Sequence, residues 1–145
     1  MEIKLSQLYE ELGEKIVSMI PCRWQEIYYL GEVEKGKNSW SSVFYFKEAN
    51  GNGFIKSHNI PDIYKVSEDI YDELLEEVGE ILLQIYDCFI ENSQNAWEQI
   101  LVHINSTGEI SIEANALKIT YKLILDANEG KFSDGKTKLE FDDVT

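Results

Sequence analysis

The sequence predicts an α+β fold: an antiparallel sheet of about five to six strands with two helices packed on one face, in the order α-β-β-β-α-β-β-β. Three observations carry this. Residues 2–20 and 67–91 place apolar side chains at steps of three and four, the period of an amphipathic helix. Residues 24–34, 40–47, 54–58, 97–105 and 109–113 are enriched in the aromatic and β-branched side chains that suit a pleated surface. Short turns such as Asn50-Gly51-Asn52-Gly53 and Ser106-Thr107-Gly108 separate successive strands, which favours hairpins over parallel crossovers. The 145 residues fit one domain, 1–145. A chain of that length buries roughly 68–70% of its unfolded surface, so it needs no disulfide or metal to hold a core.

In the first helix, Leu5, Leu8, Tyr9, Leu12, Ile16, Met19 and Ile20 form the apolar stripe, while Glu10, Glu11 and Glu14 face away. Pro21 ends it, because the residue before a proline is pushed out of the helical region. From Trp24 the period changes to two: Trp24, Glu26, Tyr28, Leu30, Glu32 and Glu34 alternate with Gln25, Ile27, Tyr29, Gly31 and Val33. Lys35-Gly36-Lys37-Asn38 reads as a turn and the 40–47 strand follows; the short 54–58 strand completes a meander. Asn59-Ile60-Pro61-Asp62 reads as a bend into the second helix, and Asn92-Ser93-Gln94-Asn95 as its exit. A hairpin over 97–105 and 109–113 comes next, then a strand over 117–126. Residues 127–145 read as a polar C-terminal tail or hairpin, with a short strand at 138–141.

The second helix has an uncommon polar face. Its apolar stripe is Ile70, Leu74, Val78, Ile81, Leu82, Ile85 and Phe89, and Ser67 stands at the N-cap. Opposite lie Asp69, Asp72, Glu73, Glu76, Glu77 and Glu80, and residues 67–91 contain no Lys or Arg. Opposite charges at i,i+4 stabilise a helix by about 0.2–0.5 kcal/mol per pair. Here Asp69/Glu73, Asp72/Glu76, Glu73/Glu77 and Glu76/Glu80 are like-charged pairs, which cost similar amounts. The plainer reading is the solvated face of an acidic protein; the sharper one is a docking face for a basic partner.

Composition narrows the function classes. The net charge is −14 and the pI about 4.4, so direct binding to nucleic acid or to an anionic membrane is not expected. With 43% hydrophobic residues the chain is not an acidic disordered tail. Cys22 and Cys88 read as core thiols of a reducing compartment. Residues 1–4, Met-Glu-Ile-Lys, do not open a secretory leader, and no apolar run reaches the roughly 18 residues of a membrane helix. The expected location is the cytoplasm.

The catalytic and metal-binding motifs in the chain lack the context their chemistry needs. Residues 130–137, GKFSDGKT, match the letters of a phosphate loop. That loop needs a helix N-terminus to receive the phosphates, and the eight residues after Thr137, KLEFDDVT, offer none. His58 and His103 lack a neighbouring metal-ligand partner and read as strand or turn residues. Asp126-Ala127-Asn128-Glu129-Gly130 starts like a calcium loop but has Thr137 where the twelfth-position Glu belongs. Asn105-Ser106-Thr107 matches a glycosylation acceptor and reads as a turn. A catalytic carboxylate pair needs two environments that separate the pKa values, and a solvent-facing stripe supplies one. No metal, no cofactor and no enzymatic activity are expected; a binding module is.

Several segments taken together resemble the YezG-like family of bacterial immunity (antitoxin) proteins. They are Leu8-Tyr9 and Ile16-Val17; Met19-Ile20-Pro21 with Trp24 after it; Glu32-Val33 and Val43-Phe44-Tyr45-Phe46. Further on come Ile60-Pro61 with Tyr64, Val66-Ser67-Glu68-Asp69, Tyr71-Asp72-Glu73-Leu74, and then Trp97, Gly108 and Ile110. The resemblance covers about residues 5–113. It implies a protein that binds the nuclease domain of its cell's own secreted LXG-type toxin in the cytoplasm and blocks it. A nuclease needs a basic cleft for the phosphate backbone, so Asp69, Asp72, Glu73, Glu76, Glu77 and Glu80 become the candidate toxin-binding residues. Trp24, Trp40 and Trp97 are candidate anchors, although large aromatics more often serve the core. A non-catalytic adaptor without a toxin partner is the rival expectation; it predicts a constant, non-toxic companion.

Overall fold

The computed structural model describes residues 2–37, 39–91 and 99–114, together with the backbone of strands at 117–122, 124–126, 131–133 and 140–143. Helix α1 spans Glu2–Ser18 and is followed by strands β1 (Trp24–Val33), β2 (Trp40–Glu48) and β3 (Phe54–Lys56). A short helix α2 (Ile60–Tyr64) leads into the long helix α3 (Glu68–Glu91). Strands β4 (Gln99–Asn105) and β5 (Glu109–Ala114) form a hairpin, and β6 (Leu117–Lys122), β7 (Ile124–Asp126), β8 (Lys131–Ser133) and β9 (Glu140–Asp143) follow. The fold is the α+β class expected. Its antiparallel sheet runs β3-β2-β1-β4-β5, and β6 and β9 carry the same sheet to seven strands.

Alternation decides which side of the sheet is covered. Ile27, Tyr29, Gly31 and Val33 of β1 point to one side, with Ser42, Phe44 and Phe46 of β2, and all are buried. Ile100, Val102 and Ile104 of β4 and Ile110, Ile112 and Ala114 of β5 share that side and are buried as well. Helix α3 lies against β1 and β2 there, and α1 packs beside α3. The expected α1 stripe, Leu5, Leu8, Tyr9, Leu12, Ile16, Met19 and Ile20, is buried throughout, joined by Val17. Each such side chain contributes about 1.5–3 kcal/mol when fully buried.

Two glycines mark how closely α3 approaches the sheet. A Cβ on Gly31 would come within 2.7 Å of Leu82 Cδ1 and 3.0 Å of Ile100 Cγ2. A Cβ on Gly79 would stand 2.0 Å from the Trp40 indole. These are closer than real Cβ contacts, so a bare backbone on each side lets the helix sit down on the strands.

Four local expectations change. The bend at 59–62 is the first turn of α2: Pro61 sits near its start, where a missing N–H costs nothing, and Lys65 (φ 57) closes it in the left-handed conformation. The third strand stops at Lys56, and 57–59 coil into a single 3₁₀ turn because the buried Ser57 hydroxyl accepts from the backbone N–H of Phe44 at 3.1 Å. On α3, Tyr71 rather than Ile70 begins the buried stripe, and Ile70 is 54% exposed. The Tyr71 hydroxyl and His58 Nδ1 share a hydrogen bond of 2.6 Å, so the phenol takes the inward place that hydropathy alone gives to isoleucine. Finally, 117–126 is two strands, not one. β6 extends the main sheet, whereas β7 pairs with β8 as a separate antiparallel ribbon. β8 lies against α1, on the helix side of the sheet.

Candidate functional site

The acidic helix begins where its capping residue predicts. Ser67 Oγ accepts from the Ile70 N–H at 3.4 Å, and its carbonyl accepts from the Tyr71 N–H at 3.0 Å. Glu68 and Asp69 occupy the first turn, where the helix dipole favours negative charge. Of the six carboxylates singled out, Asp69, Asp72, Glu73, Glu76 and Glu80 are exposed on the side of α3 that faces away from the sheet. Among the described residues no cation lies within ion-pair distance of these five.

Glu77 differs. It is half-buried and accepts from Lys15 Nζ of α1 at 2.8 Å. Two further ion pairs, Lys37–Asp87 at 2.9 Å and Lys4–Glu91 at 3.7 Å, hold the C-terminal half of α3. The countercharges absent from the helix itself therefore arrive from α1 and from the β1–β2 turn. They neutralise its flank and its end and leave the N-terminal half of its outer face negative.

The remaining singled-out groups are structural. His103 Nε2 lies 3.1 Å from Glu26 Oε1, and its ring stacks on Tyr28 at 4.3 Å. Cys22 Sγ is 3.6 Å from the Tyr64 hydroxyl, and both cysteines are free thiols. Burial pushes the Tyr29 phenol above its usual value. Burial, Cys22 and Glu48 do the same for Tyr64, and burial with the Asp72 charge for Tyr71. All three stay neutral hydrogen-bonding groups. Asn105 Oδ1 accepts from the N–H groups of Thr107 and Glu109 and from the Thr107 hydroxyl, and Gly108 (φ 91) completes that turn. In the phosphate-loop look-alike, Lys131–Ser133 is a strand paired with β7, where phosphate binding requires a loop. Asp134 and Gly135 of that match lie outside the described residues, as does Trp97. Trp24 is half-buried and packs against the core; Trp40 lies across Gly79 of α3. Among the described residues no group of three or more His, Cys, Asp or Glu side chains is arranged to hold a metal ion. None of their helices is long and apolar enough to cross a membrane.

Alternation along β1 also shapes the side of the sheet that the helices leave open. The side of the sheet opposite the helices carries Tyr28, Tyr45, Phe54 and Leu101, which are 46%, 40%, 44% and 47% exposed. The pairing register sets Tyr45, Tyr28 and His103 in one row across β2, β1 and β4, and Val43, Leu30 and Leu101 in the next. Tyr28 also meets Phe54 edge-on, with ring centroids 5.5 Å apart.

The fold exposes two chemically distinct faces, one acidic and one apolar and aromatic, and an exposed apolar patch is the kind of surface that meets a protein partner. Comparison with known proteins gives the family. Residues 5–137 match the family described as immunity protein YezG-like, and the chain belongs to that family. It is 35% identical over 112 residues to the immunity protein YezG of Bacillus spizizenii, covering 77% of this chain and 68% of that one. Against the immunity protein YezG of Bacillus subtilis it is 31% identical over 111 residues, covering 77% and 72%. It is also 27% identical over 112 residues to the type VII secretion system protein EsaG of Staphylococcus aureus, covering 77% and 67%. The family match reaches well past Glu113, into the strands beyond β5. Immunity proteins are not enzymes.

Proposed function

We propose that this chain binds a cognate secreted toxin inside the cell that makes both, and that the toxic domain it neutralises is a nuclease. The observation that supports the nuclease reading is the set of five exposed carboxylates, Asp69, Asp72, Glu73, Glu76 and Glu80, without an ion-pair partner among the described residues, on a chain of net charge −14. A nuclease presents cations to the phosphate backbone, and a negative protein surface is attracted to the same cations. Long-range attraction of this kind raises association rates by about 10–10³. The stripe on α3 supports a steering role, while Glu77, held by Lys15, belongs to the packing of α3 on α1.

The test begins with the tagged protein purified from its own cells. A companion that arrests growth when expressed alone, and is silenced by co-expression of this chain, establishes the antitoxin role. That toxin domain should cleave nucleic acid in vitro, and an equimolar amount of this protein should abolish cleavage. A companion that arrests growth without degrading nucleic acid removes the nuclease and keeps the antitoxin. A non-toxic companion removes both.

A further inference from the structure

We propose that the open face of the sheet, centred on Tyr28 and Leu101, is the surface that seats the toxin domain; this rests on the antitoxin reading above. The face is uncovered: among the described elements α1, α3 and β8 all lie on the other side of the sheet or against its helices. Its middle is apolar and aromatic. Tyr28, Tyr45 and Leu101 stand exposed in adjacent register rows, with Leu30 between them. Exposed tyrosines on a rigid strand lose little freedom on binding and are enriched among the few residues that dominate interface energies. The strands hold these side chains at fixed spacing before any partner arrives, which lowers the ordering cost of association.

Charge on this face is balanced by register. Glu26 is satisfied locally, 3.9 Å from Lys47 and 3.1 Å from His103. Around the apolar middle, Glu32 of β1 is exposed, Lys56 of β3 stands opposite Tyr45, and Glu109 and Glu113 of β5 are paired in register with Lys122 and Lys118 of β6. A complementary surface would carry an apolar patch with both signs of charge at its edge. Size and charge argue against a second copy. Five strands about 4.8 Å apart, with rows about 6.8 Å apart, make a face on the order of 500 Å². Obligate homodimers bury roughly 1,000–2,500 Å² per partner, and each copy would bring a net charge of −14. A heteromeric interface needs about 800 Å² per partner, so this face would form its centre and the neighbouring loops its rim.

The probe is the toxin domain recovered as described above, with its catalytic activity removed by mutation, measured by surface-immobilised kinetics against the full-length chain. Tyr28→Ala and Leu101→Lys should each raise the dissociation rate about tenfold or more. Leu101→Lys should have the larger effect, because it sets a charge in the apolar middle of the interface, where it would lose water without a partner. Glu11→Lys, on the exposed outer side of α1, should leave dissociation unchanged. Thermal melting of each variant separates a lost contact from a lost fold. Tyr28→Ala removes ring contacts to His103 and Phe54, so Leu101→Lys is the decisive variant if Tyr28→Ala melts early. Unchanged dissociation for a folded Leu101→Lys, with the wild-type chain binding tightly, overturns this interface and leaves the antitoxin reading intact. Failure of the wild-type chain to bind overturns both. Sedimentation of the free chain as a dimer that Leu101→Lys dissolves would assign the face to a second copy instead.

Discussion

The outer face of α3 and the open face of the sheet lie on opposite sides of one α+β fold, and they handle charge in opposite ways. On α3, Asp69, Asp72, Glu73, Glu76 and Glu80 stand exposed, and among the described residues no cation lies within ion-pair distance of them. On the sheet, Glu26 is matched by Lys47 and His103, and the exposed middle is tyrosine and leucine. An unmatched cluster projects a field that acts over about 10 Å at 0.1 M salt. It guides a partner and holds it weakly, because an exposed ion pair contributes no more than about 1 kcal/mol. A matched, apolar surface projects little field but gains from every part of it that loses water. Net charge alone bears on how fast a partner arrives and not on where it is seated.

The largest expected effect tests what both faces share, the seating of α3 on the sheet. Gly79→Ala sets a methyl where the Trp40 ring lies 2.0 Å away. Overpacking costs about 1–3 kcal/mol, and alanine's better helix propensity returns about 1. Three Trp40 ring atoms within 2.6 Å set the cost at the upper end, so net destabilisation of about 2 kcal/mol should lower the melting temperature by roughly 4–8 °C. The loss should largely vanish in a Trp40→Leu background. If Gly79→Ala melts like wild type, Trp40 does not hold α3 as described.

Next is the field of α3. Asp72→Lys, Glu76→Lys and Glu80→Lys together should slow association with the toxin domain about tenfold or more at low salt and flatten its salt dependence. Dissociation should stay near wild type. A smaller contrast lies within the helix. Glu76→Gln should slow association slightly. Glu77→Gln should leave association alone and cost up to about 1 kcal/mol of stability through the weakened Lys15 pair, which is part-exposed. Urea titration and stopped-flow rates on the same pair of variants separate the two. If Glu77→Gln slows association as much as Glu76→Gln does, the division between packing and steering carboxylates fails.

Much of this was legible in the sequence because periodicity is a local property. The α1 stripe, the β1–β2 meander, the Ser67 cap and the β4–β5 hairpin all follow from neighbours a few residues apart. The rest depends on distant contacts. Lys15 and Lys37 reach α3 across 62 and 50 positions, so a helix that looks bare of countercharge is partly supplied. Tyr71 displaces Ile70 from the core because His58 waits for its hydroxyl. Alternation in 24–34 gives β1 two faces but does not place α3 on either of them. That choice falls at Gly31, whose missing side chain admits Leu82 of α3. The open face, and with it Tyr28, Tyr45 and Leu101 as a group, emerges once the register aligns β2, β1 and β4. The split of 117–126 into β6 and β7 likewise rests on pairing with β5 and β8, which mixed periodicity does not encode.

The most direct measurement sets the two faces against each other. Association and dissociation rates of one catalytically dead toxin domain would be recorded from low to high salt, for the triple lysine variant of α3 and for Leu101→Lys. The helix variant should lose association rate, most at low salt, and keep its dissociation rate. Leu101→Lys should dissociate about tenfold faster or more, even at high salt where the field is screened. The opposite pattern, with faster dissociation from the helix variant and unchanged dissociation from a folded Leu101→Lys, would place the toxin on α3 and contradict the division of labour between the two faces.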